Sequence, residues 1–354
     1  MHFQTKTLSL FLFFIIFPFF AQFKPSKNYT TADGLPNNAV RSLYLDKNED
    51  LWIGTENGIS KLENGAFTNL VFPKSFTNNS CWDITQDTKG SMWFASYGGG
   101  VFKFDGENFK IFSKKNGLPV NRCRKLLAYK DKVFVGTELG VAIIDIHTNR
   151  LSVPKEILPH FGVFMVSDFF VYNNEVYFSA INEGLFKITY KNNIPVIEPV
   201  FKFQFAYSLG FYNNTIFSGN KGFIDRLKIQ DLISGKTASK SFGKSVVWDF
   251  AKDKNNTLYG AAWGIFDLSG GLYRITDNEM TNISEQYGID SKSLLNVVYN
   301  AKKDILYVGS KDKGIYEIQL DKTIDYNPFG NKKVVDFETL ENQKIILHQD
   351  GISF

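Results

Sequence analysis

The chain has 354 residues, 16% of them aromatic, and its formal charge is only +4. That length allows one large all-β domain or two ordinary ones, and the abundance of Phe, Tyr, Asn and Gly suits half-buried strands joined by tight turns rather than amphipathic helices. The small net charge, with no basic run longer than a few residues, argues against a nucleic-acid partner and against strong binding to a membrane surface.

The N-terminus reads as a processing segment. A short polar start with Lys6 is followed by an almost wholly apolar run from Leu8 to Phe20, then by Ala21 as a small residue for cleavage. This is the layout of a secretory signal peptide over residues 1–21. The run is shorter than the roughly 20 apolar residues of a spanning helix and is interrupted by Pro18. Phe19 is a poor residue so close to a cleavage site, so an uncleaved anchor stays open as the alternative. No cysteine follows the run, which argues against a lipid anchor. The expected location is periplasmic.

From residue 22 onward the chain is organised by a repeat. Asp33-Gly34-Leu35-Pro36 leads into Leu51-Trp52-Ile53-Gly54-Thr55, and Asn116-Gly117-Leu118-Pro119 leads into Phe134-Val135-Gly136-Thr137. An aromatic column runs through Trp52, Trp93, Phe134, Tyr177, Phe217, Tyr259 and Tyr307, and is broken only at Ile346. Two residues later a small residue recurs, at Gly54, Ala95, Gly136, Ser179, Gly219, Ala261 and Gly309. Before each aromatic lies a small or aliphatic residue: Val40, Cys81, Cys123, Val166, Ala206, Val247, Leu295 and Val334. The glycines that follow recur about every 40 residues, the period of propeller blades.

Each repeat therefore predicts a four-stranded antiparallel blade. Its aromatic fills the space against the next blade, and its small residue lets that blade come close. One blade cannot bury both faces, so blades must stack around an axis. Eight repeats are counted, giving an all-β propeller of seven or eight blades over residues 22–354. The last repeat stops at Gly351-Ile352-Ser353-Phe354 without a fourth strand. The stretch Phe23–Thr31 resembles an orphan fourth strand able to close the ring.

This grammar resembles the two-component regulator propeller repeat, most closely from Asp33 to Ile59. The resemblance implies the exported sensor region of a histidine kinase or hybrid two-component regulator of Bacteroidota. It implies a non-catalytic region that binds an extracellular small molecule or oligosaccharide. A transmembrane helix and a kinase core would follow in the full-length receptor, which leaves room for a homodimer and for membrane attachment only through that segment or an uncleaved N-terminal anchor. On this reading the incomplete last repeat marks a chain cut just inside a second propeller; a stand-alone propeller is the alternative.

Several motifs have plain structural readings. Cys81 and Cys123 sit in one column of adjacent blades, too far apart for the roughly 6 Å of a disulfide, and read as buried thiols. Asp46-Lys47-Asn48-Glu49-Asp50 starts like a calcium loop, but Leu51 and Asn57 stand where Gly and Glu are needed. No metal site, cofactor site or nucleophile motif is legible. Glu56 and Glu138, at matching repeat positions, read as loop-building residues.

The candidate ligand-binding residues are departures from the repeat on the rim that carries the loops leading into the first strands and those joining second to third strands. They are Arg41, Trp82, Tyr97, Arg122, Arg124, Trp248 and Trp263, the last placed in an enlarged loop from Ala262 to Gly271. Aromatic faces with Arg donors suit a glycan; each residue also has a bland reading as packing between blades or cover for apolar surface. A protein-interaction propeller and a propeller enzyme acting on polysaccharide remain as rivals from other classes.

Overall fold

The computed structural model describes residues 26–72, 78–154, 164–202, 206–234, 240–264, 269–276 and 279–320, together with strands at 334–340, 343–348 and 351–353. The signal-peptide reading and His160 lie outside these residues. Residues up to Ile318 form one compact unit, and Gln319–Phe354 form a second.

The first unit is a ring of seven blades, each a sheet of four antiparallel strands. In blade 1 these are Val40–Leu45, Leu51–Thr55, Gly58–Glu63 and Ala66–Asn69. Blades 2 to 6 begin their innermost strands at Cys81, Cys123, Val166, Ser208 and Val246. Blade 7 takes three strands, Leu294–Asn300, Ile305–Ser310 and Ile315–Gln319, from the seventh repeat and its outer strand, Lys27–Tyr29, from the N-terminus. Tyr29 pairs with Ile315 and Lys27 with Glu317. The orphan strand therefore closes on the seventh repeat, and the eight-blade count does not hold. The eighth repeat supplies the three-stranded sheet of the second unit, Val334–Leu340, Gln343–His348 and Gly351–Ser353.

The aromatic column sits where the repeat requires. Trp52 packs with Cys81, Ile84 and Phe94 of blade 2, and Trp93 with Cys123, Leu126 and Val135 of blade 3. Tyr307 packs with Val40, Leu51 and Ile53 of blade 1 and so joins the last blade to the first. The small column is equally literal. A Cβ on Gly54 would lie 2.7 Å from the Cys81 carbonyl oxygen, and one on Gly219 would lie 2.0 Å from the Val247 carbonyl oxygen. Blade 7 alone is offset: its bulge lies between Leu294 and Asn296, so Leu294, not Leu295, occupies the Val40 position. The chain runs one residue longer there before Tyr307.

The turn motifs also resolve into bonds. In Asp33-Gly34-Leu35-Pro36, the Asp33 carboxylate accepts the Thr30 backbone N–H at 2.8 Å, Gly34 adopts φ +106°, and Leu35 drops into the core at 3% exposure. Asn116, Gly117 and Leu118 repeat this arrangement, with Gly117 also at φ +106°. The calcium-like start has a structural task. Asp46 Oδ1 accepts the N–H groups of Asn48 and Asp50, while Oδ2 accepts the Trp52 indole at 2.9 Å. Asp87 treats Trp93 in the same way at 2.8 Å. Cys81 and Cys123 are free buried thiols, and burial pushes both well above the ordinary thiol pKa.

Candidate ligand-binding site at the propeller axis

Six of the seven innermost strands share one irregularity. Their register against the second strand slips between Val40 and Ser42, Cys81 and Asp83, Cys123 and Lys125, Val166 and Asp168, Val247 and Asp249, and Leu294 and Asn296. A bulge of this kind re-aims one side chain. The skipped residues are Arg41, Trp82, Arg124, Ser167, Trp248 and Leu295. With Tyr207 of blade 5, Lys125 and Asn296 they line an axial cavity of about 30 Å³ to which all seven blades contribute.

Directly below runs a layer that ties the ring together. An innermost strand is a sheet edge, and its free N–H groups need acceptors. Asp83 Oδ2 accepts the Leu126 N–H at 2.7 Å, Asp168 Oδ2 accepts Leu209 N–H at 3.0 Å, and Asp249 Oδ2 accepts Val297 N–H at 3.0 Å. Blades 2, 4 and 6 thus each cap the blade that follows. Ser208 Oγ donates to the Val247 carbonyl at 2.7 Å, and Asn296 Nδ2 to the Arg41 carbonyl at 2.7 Å. Lys125 stands among the aspartates, its Nζ 3.9 Å from Asp168 Oδ1. Burial raises the Asp83 pKa to about 6 and the Asp249 pKa to about 7, against the pull of Lys125. For Lys125, burial pushes down, but Asp168, Asp83 and Asp249 together hold its pKa above the usual lysine value.

The rim above the cavity carries two aromatic groups. On one side Trp82 stacks on Tyr97 at 4.2 Å between centroids, and the Arg41 and Arg124 guanidinium carbons lie 4.9 and 5.1 Å from the Trp82 ring. Glu56 holds Arg41 at 2.5 Å and accepts Ser80 Oγ at 2.7 Å, while Ser80 Oγ accepts the Trp82 indole at 3.0 Å. Glu138 accepts the Tyr97 hydroxyl and pairs with Arg122 at 2.5 Å. Arg124 Nε is buried without a hydrogen-bond partner. On the other side Tyr207 stacks on Trp248 at 5.6 Å, Trp263 meets Trp248 edge-on at 5.1 Å, and Lys311 lies 5.0 Å from the Trp263 ring.

All seven residues singled out from the sequence therefore gather at one mouth. Arg41, Trp82, Arg124 and Trp248 face the cavity; Tyr97, Arg122 and Trp263 brace them. One placement is corrected: Trp263 ends the strand Leu258–Trp263, paired with Val246, rather than sitting in the enlarged loop. The shared rim also holds, since Gly58 N–H donates to the Asn79 carbonyl and Gly98 N–H to the Asn121 carbonyl, tying each loop to the approach of the next blade. Sequence reasoning missed Lys125, Asp168, Ser167, Tyr207 and Leu295. Taking the two residues after the column of Val40, Cys123, Val166 and Ala206 in every repeat would have found all but Leu295, which the one-residue offset hides.

Among the described residues no group of three or more His, Cys, Asp or Glu side chains is placed to hold a metal ion, and no helix is long and apolar enough to cross a membrane.

The family model described as two component regulator propeller matches residues 34–57. Over those residues the repeat read from the sequence matches the two-component regulator propeller repeat. No curated protein matches the sequence. Among solved structures, the fold is similar to the extracellular domain of a hybrid two-component system from B. thetaiotaomicron, with TM-score 0.68 and 15% identity over 94% of this chain and 49% of that one. It is also similar to PorZ, a surface component of the type-IX secretion system of Porphyromonas gingivalis, with TM-score 0.66 and 13% identity over 89% of this chain and 51% of that one. Virginiamycin B lyase from Staphylococcus aureus matches with TM-score 0.64 and 14% identity over 83% of this chain and 98% of that one. The chain spans about half the length of the two-component relative. At these identities the likeness carries the fold.

Proposed function

We propose that this chain is the exported, non-catalytic sensor propeller of a two-component signalling protein, and that it binds an extracellular oligosaccharide at the axial mouth. The observation that carries the reading is Arg124. Its Nε lies buried beside Trp82 with no acceptor, and a buried guanidinium donor without a partner costs free energy that a ligand oxygen would recover. Trp82, Tyr97, Trp248 and Trp263 supply the flat faces on which sugar rings stack, and Glu56 and Glu138 fix the neighbouring arginines. The cavity itself is small, so the ligand rests across the mouth. The family match and the likeness to extracellular domains of two-component systems support the signalling role.

The test is a panel of oligosaccharides against the purified propeller and its Arg124→Ala and Trp82→Ala variants. Binding that weakens about tenfold or more in both variants, with melting temperature retained, is the expected result. Equal binding by wild type and both variants overturns the placement.

A second reading, a protein-interaction propeller, is favoured by the likeness to PorZ. Capture of a protein partner through the same rim, with no glycan bound, would favour it. An enzyme reading has the lyase likeness behind it. His147, the one histidine whose side chain is described, pairs with Asp131 at 3.0 Å on an exposed hairpin away from the axial cavity.

A further inference from the structure

In each blade one residue of the innermost strand pairs with the small column: Ser42, Asp83, Lys125, Asp168, Ser208, Asp249 and Asn296. Three of them bridge to the next blade as donors. Ser42 Oγ donates to the Cys81 carbonyl at 3.4 Å, and Ser208 Oγ to the Val247 carbonyl at 2.7 Å. Asn296 does the same with Nδ2, which donates to the Arg41 carbonyl at 2.7 Å and to the Leu295 carbonyl at 2.8 Å. These two acceptors fix the amide, because a flipped one would set oxygen against oxygen. A serine suffices for the bridge in blades 1 and 5. The Asn296 Oδ1 is therefore surplus to the ring.

Among the described residues, five buried side-chain nitrogen or oxygen atoms have no hydrogen-bond partner. Two of the five, Arg124 Nε and Asn296 Oδ1, belong to residues lining the axial cavity. Asn296 is only 7% exposed, so solvent does not relieve its Oδ1. The charges nearby are already answered. Arg41 pairs with Glu56, Arg122 with Glu138, Lys125 stands among three aspartates, and Arg124 has Tyr97 and Glu138 close by. What the cavity lacks is one acceptor, for Nε, and one donor, for Oδ1. An ionised acid group offers acceptors only, and it would stand above aspartates that outnumber Lys125. A hydroxyl offers both. The cavity volume of about 30 Å³ is room for one water-sized group.

We infer that Asn296 is a ligand-binding residue of the axial mouth, and that the group entering the cavity is a free hydroxyl of a neutral sugar rather than a carboxylate or sulfate. The hydroxyl donates to Asn296 Oδ1, and a ligand oxygen accepts from Arg124 Nε. The sugar ring stays outside the cavity, against Trp82 and Trp248. This rests on the axial mouth being a glycan site and adds the class of glycan and the residue that selects it.

The probes are cellotriose, mannotriose and galactotriose, each paired with the trimer in which every hydroxymethyl group is oxidised to a carboxylate. Wild type, Asn296→Ser and Arg124→Ala are titrated with all six. Expected is that wild type binds at least one neutral trimer, and its acidic counterpart about tenfold or more weakly. Asn296→Ser keeps a hydroxyl for the Arg41 carbonyl, so it should retain its melting temperature. It should lose about tenfold in affinity for the neutral trimer and none for the acidic one. A crystal structure of wild type with the tightest neutral trimer should place a sugar hydroxyl within about 3.2 Å of Asn296 Oδ1, a readout that needs no variant. Equal or tighter binding of the acidic trimers, unchanged discrimination by Asn296→Ser, or a bound sugar without that contact overturns the proposal. If Arg124→Ala still weakens binding in those cases, the axial glycan reading survives. No binding of any trimer, or binding that Arg124→Ala leaves intact, overturns that reading and the proposal with it.

Discussion

The space between blades 2 and 3 and the space between blades 5 and 6 are built from the same repeat and end differently. In the first, Trp93 is fully buried, bonds Asp87, stacks on Phe112 at 5.5 Å and is sealed outward by Leu118, Ile144 and Ile146. In the second, Phe217 meets Phe250 only at 6.4 Å, and the outer part is left to basic side chains. Blade 5 follows its third strand with a short helix, Ile229–Ile233, and a three-residue outer strand, Lys240–Phe242, whose Phe242 packs against the apolar cluster of blades 5 and 6 while Lys240 lines the cleft. The wedge is thus set blade by blade: closed, it holds the ring; open, it leaves a cleft lined by polar and basic side chains.

The largest expected effect tests this contrast directly. Trp93→Ala should cost about 3–5 kcal/mol, as large aromatic-to-Ala core changes do, whereas Phe217→Ala, at a half-buried position, should cost only about 1–2 kcal/mol. Urea unfolding of the two variants measures both, and equal losses would erase the distinction. Next in size, Gly219→Ala should cost about 1–3 kcal/mol through overpacking. Its Cβ would strike the rigid Val247 carbonyl, which shows that blades 5 and 6 are still tightly joined near the axis. A neutral outcome would mean the inner wedge is loose as well.

The smallest effect concerns the axis, where all blades are alike in purpose. The folded-state pKa values of Asp83 and Asp249 are raised, so the native state holds protons that the unfolded chain releases near pH 4. Their contribution to stability should therefore be greatest below about pH 4 and decline as pH rises through about 7. Asp249→Asn keeps an acceptor for Val297 N–H but removes the titration beside Lys125, Asp83 and Asp168, so its melting temperature should vary less between pH 4 and 8. An unchanged slope would show that Asp249 titrates normally.

Much of the ring was legible in the sequence because the packing constraint repeats with the chain. Trp52 and Gly54 each solve a local problem that recurs in every blade, so their columns announce the fold. The axial mouth was legible in part, because Arg41, Trp82, Arg124 and Trp248 break those columns. Lys125 and Asp168 were not seen, since a single polar residue after the Val40 column gains meaning only when seven strands converge. The cleft was invisible for another reason. Arg226, Lys228, Lys240, Lys252 and Arg274 are scattered over 49 positions, and nothing in their spacing shows that two blades bring them to one cleft.

The strand that closes the ring has a consequence for how the molecule is made. Tyr29 hydroxyl bonds Glu317 across a sequence separation of 288 residues. The entropy of closing so long a loop grows only slowly with its length, so the finished ring loses little by it. Rate is another matter, because contacts this distant in sequence slow folding. Lys27–Tyr29 is among the first parts of the ring to be synthesised and must wait for Ile315–Glu317, among the last. Until the two strands pair, blade 7 presents a bare edge along Ile315–Gln319, open to pairing with another chain. Crowded or unassisted emergence of the chain should therefore favour strand exchange between copies at this blade before any other.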